Sequence, residues 1–166
     1  MQIRPVKITI TTNTSSVNIN RRFSDMISTE DEMEEYEASE ESPVIFVTDG
    51  VIIEDGDMVK ISYDENELVK MQGAHTIFAF REKSPTTVSM LRIGSITTTL
   101  IFDSLKPRHI CLYNSGAFPF EVAICTDYLS NNMTYNSGGE IVVEYSVEIR
   151  GIPAEYNRIS VKVSEL

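Results

Sequence analysis

Glu140-Ile141-Val142-Val143-Glu144-Tyr145-Ser146-Val147-Glu148-Ile149-Arg150 decides the fold class of this chain. Ile141, Val143, Tyr145, Val147 and Ile149 fall on one side of an extended strand; Glu140, Val142, Glu144, Ser146, Glu148 and Arg150 fall on the other. A period of two is what a strand needs when one face meets a core and the other meets water. Coiled into a helix, the same residues would spread their charges around the whole circumference.

The alternation recurs on both sides of this stretch. Val6, Ile8 and Ile10 share a face near the N-terminus, and a turn at Asn13–Ser16 leads into a short run, Val17-Asn18-Ile19-Asn20. Pro43 restarts regular structure, with Val44–Thr48 and Gly50–Ile53 forming a strand pair or one bent strand. Asp55-Gly56 sits between alternating runs and predicts a tight hairpin into Met58–Tyr63. Asp64–Gln72 reads as a loop, and Gly73 opens the next strand. Further turns at Lys83-Ser84-Pro85, Gly94-Ser95, Asp103–Pro107, Asn114-Ser115-Gly116, Asn136–Gly139 and Gly151–Ala154 divide the remainder into short strands. The count is about nine or ten strands at roughly 8–12-residue spacing, with short connections that favour up-and-down order. A meander of this length removes its exposed edges by closing. The expectation is one all-β domain over residues 1–166, a single antiparallel up-and-down β-barrel of about 8–10 strands.

Charge is concentrated in one place. Residues 24–42 hold Asp25, Glu30, Asp31, Glu32, Glu34, Glu35, Glu37, Glu40 and Glu41 with no base, so the formal −11 of the chain falls to −2 for the rest. This stretch reads as an acidic, flexible insertion, a solvated linker or fraying helix. Without a compensating basic patch, nucleic acid is not an expected partner. Met1–Val6 alternates instead of forming an apolar signal core, and no run approaches the ~20 apolar residues of a membrane span. Two cysteines, Cys111 and Cys125, are too few for a disulfide scaffold and suit buried thiols in a reducing cytoplasm.

Several stretches together resemble the YwiB-like bacterial proteins, a family of unknown function with a calycin-like β-barrel. They are Thr48-Asp49-Gly50, Tyr63-Asp64-Glu65 with Glu67-Leu68, and Met71-Gln72-Gly73. Arg92-Ile93-Gly94, Phe102, Arg108–Tyr113, and Gly138-Gly139-Glu140 through Tyr145 to Gly151 complete the set. The resemblance covers residues 44–166 and, more loosely, the first strand. It implies a calycin- or lipocalin-like barrel in a cytoplasmic bacterial protein and supplies no catalytic residues. Better-known calycins close the barrel floor with a Trp near the first strand; this chain has no Trp.

Arg92 is the side chain of most interest. It shares a strand face with Val88 and Met90, yet the other face offers Leu91 and Ile93, so both faces read as partly buried. If Arg92 points into the barrel, its guanidinium must meet a carboxylate or an anionic ligand. Glu65 or Glu67 is the internal partner; a bound carboxylate or phosphate is the external one. Tyr63, Thr98 and Tyr145 share faces with apolar residues, and their hydroxyls are candidates to line the same cavity. Phe118, Phe120, Val122 and Ile124 share a core-type face, with Phe118 a candidate cap on the barrel mouth near Arg108 and His109. His109 and Cys111, with Cys125, sketch a zinc site, but no C-x-x-C or H-x-x-x-H spacing supports it, and neither metal nor cofactor is expected.

The reading is a non-enzymatic module that binds a small, partly apolar or anionic molecule, with Arg92, Tyr63, Thr98, Tyr145, His109 and Phe118 as ligand-binding candidates. One rival is a protein-interaction domain that uses segment 24–42 against a basic partner. The other is a hydrolase acting through the Asp64–Glu67 loop or Cys111.

Overall fold

The computed structural model describes residues 1–16, 39–40, 42–65, 73–114 and 119–166, and every element in it is extended. The strands are β1 (Gln2–Ser16), β2 (Ser39–Glu40), β3 (Val44–Asp55), β4 (Met58–Asp64), β5 (His75–Arg81) and β6 (Ser84–Ile93). They continue as β7 (Thr97–Asp103), β8 (Arg108–Asn114), β9 (Pro119–Asn131), β10 (Gly139–Ile149) and β11 (Ile152–Ser164). Each strand from β3 to β11 pairs antiparallel with the next. β1 then pairs on one edge with β3, Gln2↔Glu54 to Thr12↔Val44, and on the other with β11, Lys7↔Ser164 to Ser16↔Glu155. That second ladder closes a ten-stranded barrel, and β2 adds a two-residue pairing to the end of β1.

The expected turn at Asn13–Ser16 is not there. Those residues are the last four of β1 and pair with Arg158, Asn157, Tyr156 and Glu155. Their side chains are typical of turns, but a long ladder offers every backbone group a partner, and tertiary pairing overrides weak local preference. The run at Val17–Asn20 and all but the last few residues of the acidic stretch lie outside the described residues. Gly50 does not divide two strands; β3 passes straight through it. A Cβ there would run into the Ile8 side chain and stand 2.6 Å from the Ser62 carbonyl oxygen, so only glycine lets β1, β3 and β4 approach at this point.

Inward residues stack in tiers that the hairpin registers fix. Val59, Phe80, Val88 and Phe102 are cross-strand neighbours in the lowest tier, and Ile61, Phe78, Met90 and Leu100 in the next. All eight are buried. The lower end is covered by the connection from β9 to β10, whose Met133 and Tyr135 are also buried. There Arg4 donates to the Tyr135 carbonyl oxygen at 2.6 Å and holds its guanidinium 5.7 Å from the Tyr135 ring centre, a cation–aromatic contact at the barrel floor.

The loop between β7 and β8 is pinned by Asp103, whose Oδ1 accepts the backbone N–H of Leu105 at 2.8 Å and of Lys106 at 2.9 Å. The Lys106 hydrogen bond, ahead of that from Leu105 and the nearby His109, holds the Asp103 carboxyl below its ordinary value, against a smaller opposing effect of burial. A depressed folded pKa means that the unfolded chain binds the proton more readily. Asp103 therefore contributes stability above the ordinary aspartate range and loses it as pH falls through the lowered value. Thermal melts of wild type and Asp103→Asn from pH 5 to pH 2 test this: the gap between them is expected to shrink as pH falls, and a constant gap would contradict it.

Candidate functional site

Above the two apolar tiers the barrel wall changes character in a single step. Tyr63 lies opposite Thr76, Thr76 opposite Arg92, Arg92 opposite Thr98, and Thr98 opposite Tyr113. Five consecutive strands, β4 to β8, thus contribute one inward polar side chain each at the same height. Each is two residues along its strand from an apolar tier member or from buried Cys111, so strand alternation directs it inward.

Here the interior is not filled. A cavity of about 440 Å³ opens at this end, within the range of small-ligand sites. Phe46, Phe78, Met90, Leu100 and Ile159 form apolar walls, the polar belt surrounds it, and Tyr145, Glu155, Asn157 and Arg158 complete it from β10 and β11. A ten-stranded cylinder is wider than an eight-stranded one, and large apolar side chains that plug the lower tiers give way here to threonines and peripheral phenols.

Arg92 points inward, and its partner is Glu65. The guanidinium Nη2 donates to Glu65 Oε2, while the Thr76 hydroxyl donates to Glu65 Oε1 at 2.9 Å. The side chains are 23% and 8% exposed, so this is a largely desolvated ion pair. Arg92 Nε is buried and has no hydrogen-bond partner among the described residues. Glu67, the other carboxylate considered, lies outside the described residues. Burial, reinforced by the charge of Glu65, pushes the Tyr63 phenol far above its ordinary value. Burial does the same for Tyr145 and, to a lesser degree, Tyr113, with the charges of nearby groups adding to it. These phenols stay protonated at neutral pH and are hydrogen-bond donors as well as acceptors.

Four of the six candidates, Arg92, Tyr63, Thr98 and Tyr145, therefore meet around one cavity. His109 does not join them. It stands near the opposite end of β8, with Nε2 3.7 Å from Asp103 Oδ2, because the strand carries it away from the mouth that Tyr113 occupies. Phe118 lies outside the described residues. Phe120 is not a core residue but 45% exposed, its ring stacked on Tyr113 at 5.4 Å. Glu155, Asn157 and Tyr113 were not singled out from sequence; the inward parity of Tyr113 with Cys111 was the available signal for one of them.

Among the described residues the zinc site sketched at His109, Cys111 and Cys125 does not assemble, while Asn66 and Glu67 of the candidate acid–base loop lie outside them. Cys111 and Cys125 are both free; Cys111 is buried, while the Cys125 Sγ lies 3.4 Å from Glu148 Oε1. Burial raises both thiols, the reverse of what an activated nucleophile needs. Among the described residues no group of three or more His, Cys, Asp or Glu converges as metal ligands would.

On the outer wall, Ser62 Oγ is 2.8 Å from His75 Nε2, and His75 Nδ1 is 2.7 Å from Asp64 Oδ1. This has the order of a nucleophile, base and orienting acid, and sequence reading missed it because it needs the β4–β5 register. Ser62, however, sits within a strand paired on both sides, with Val51 and with Ile77, so its neighbouring backbone N–H groups belong to the sheet and not to an oxyanion site. Asp64 is 86% exposed, so the described residues form no cleft that shields the relay from water.

A family model described as "Domain of unknown function (DUF1934)" matches residues 27–161. No curated protein matches the sequence. The fold is similar to that in the crystal structure of the ywiB protein from Bacillus subtilis, with a TM-score of 0.68 at 16% sequence identity, covering 98% of this chain and 93% of that one. The architecture is that of a calycin-like barrel.

Proposed function

The chain belongs to the DUF1934 family, whose description names no activity, and from the barrel itself we propose that it is a non-enzymatic binding module for a small, partly apolar molecule with an anionic headgroup. The observation that carries this reading is the tier structure. Two close-packed apolar layers are followed by a hollow one ringed with Arg92, Tyr63, Thr98 and Tyr145. A barrel built only for stability gains by continuing the apolar packing, since burying a charge and several hydroxyls costs free energy that filling the space would avoid. The apolar tail of a ligand would lie against Phe78, Met90 and Leu100, and its head would meet the belt. Among the described residues no helix is long and apolar enough to cross a membrane. The two free thiols support a reducing, cytoplasmic setting.

Native mass spectrometry of protein purified from its own host tests the proposal, with decanoate added as a defined probe in a second sample. Wild type is expected to carry extra mass, either a resident molecule or the probe. Thr98→Trp, which fills the cavity from its wall, is expected to carry none. Wild-type protein that remains bare in both samples overturns the proposal.

A further inference from the structure

We infer that Glu65 is an internal occupant of the cavity's anion position, so that an acidic ligand binds by taking Arg92 from it. This inference rests on the binding reading above and concerns how that site is controlled.

Glu65 is the first residue after β4, and its backbone N–H donates to the Ala74 carbonyl oxygen at 2.8 Å. That bond fixes the main chain at the cavity mouth while the side chain turns inward, leaving Glu65 among the cavity-lining residues and only 8% exposed. Its hold on Arg92 is a single-point one, Nη2 to Oε2. A guanidinium and a carboxylate pair best through two parallel N–H···O bonds, and the Arg92 Nε–H that would supply the second is buried with no partner among the described residues. The site therefore contains a cation whose strongest binding mode is unused. A ligand carboxylate that engages Nε and Nη2 together gains what Glu65 does not.

Glu65 also has somewhere to go. Its other oxygen already accepts from the Thr76 hydroxyl, so giving up Arg92 does not strip the carboxylate of every donor. Tyr63, held protonated by burial, stands beside the pair as a further donor. Exchange needs only side-chain movement around an anchored backbone. In the empty barrel Glu65 spares Arg92 the cost of a buried unpaired charge, and in the filled one the ligand does so. The affinity for an acidic ligand is consequently the difference between two pairings with the same cation, and neutral apolar molecules of the same shape are not subject to it.

Calorimetric titration with decanoate and with its methyl ester separates these effects. Glu65→Gln keeps the size and the Thr76 contact but removes the charge, and is expected to bind decanoate at least about tenfold tighter than wild type with the ester unchanged. Thr76→Val, which takes away the alternative partner of Glu65, is expected to weaken decanoate about fivefold, again without effect on the ester. If wild type binds decanoate and Glu65→Gln binds it equally or less well, Glu65 is not a competitor; the inference falls and the binding reading stands. If neither protein takes up decanoate or ester, both fall. Should Glu65→Gln lack the circular dichroism spectrum of wild type, Thr76→Val decides: weakened acid binding with unchanged ester supports the exchange, and any other pattern overturns it.

Discussion

Phe102→Ala is expected to destabilise the barrel by about 3–5 kcal/mol in urea-induced unfolding, close to the whole stability of a marginal domain. Phe102 is wholly buried in the lowest tier opposite Val88, and its ring centre lies 4.8 Å from that of Tyr145, tilted by 48°. Removing the ring forfeits its transfer free energy and leaves a void that neighbours on paired strands cannot collapse to fill, because their backbones are held on both sides. Tyr145 also loses its aromatic neighbour. A loss below about 1 kcal/mol would mean that the lower tiers are not close-packed and that the empty volume continues through the barrel.

Arg92→Met is expected to be nearly as damaging, by about 3–5 kcal/mol, for a different reason. The substitution leaves the Glu65 carboxylate 8% exposed and without its Arg92 counter-charge. Neutral donors, the Thr76 hydroxyl and the neighbouring Tyr63 phenol, offset only part of that cost. The double variant Arg92→Met/Glu65→Met should recover most of the loss, since replacing a desolvated ion pair by apolar side chains of similar volume is often neutral or better. Urea unfolding of both single variants and the double variant forms a cycle that isolates the coupling. Additive losses would show that the two side chains do not act as a pair. Recovery of stability would also support a functional reason for the ion pair, because the fold would then not require it.

Much of this site was legible before folding. Val88 and Met90 share a face with Arg92, but Leu91 and Ile93 make the other face apolar too, so alternation left the direction of the guanidinium open. For an inward one, the cost of a bare buried charge required a carboxylate or an anionic ligand, and the structure turns it inward against Glu65. Tyr63, Thr98 and Tyr145 followed from the same parity. The parts that were not legible involve distant pairing. Glu155 and Asn157 reach the cavity because β11 closes on β1, a contact between the two ends of the chain. The same closure draws Asn13–Ser16 into a ladder where their composition indicated a turn. His109 was misjudged in height but not in face: it lies toward the base because β8 runs between the base and the mouth, a distance that alternation does not report.

The sequence by itself determined which residues share a side along the regular stretches of strand, since that depends only on a residue and its neighbours one and two places away. Bulges interrupt it, as beside Tyr145, where Ser146 is buried as well. The alternation thereby established the class of fold and the apolar interior, and named Arg92 as the charge whose direction mattered. Tertiary structure alone decided the height of each side chain along the barrel axis, and with it the assembly of Tyr63, Thr76, Arg92, Thr98 and Tyr113 into one belt above a hollow. Height is set by the register of every ladder and by the closure that makes those registers mutually consistent, and empty volume is set by the number of strands around it; both belong to the whole cylinder and to no single segment.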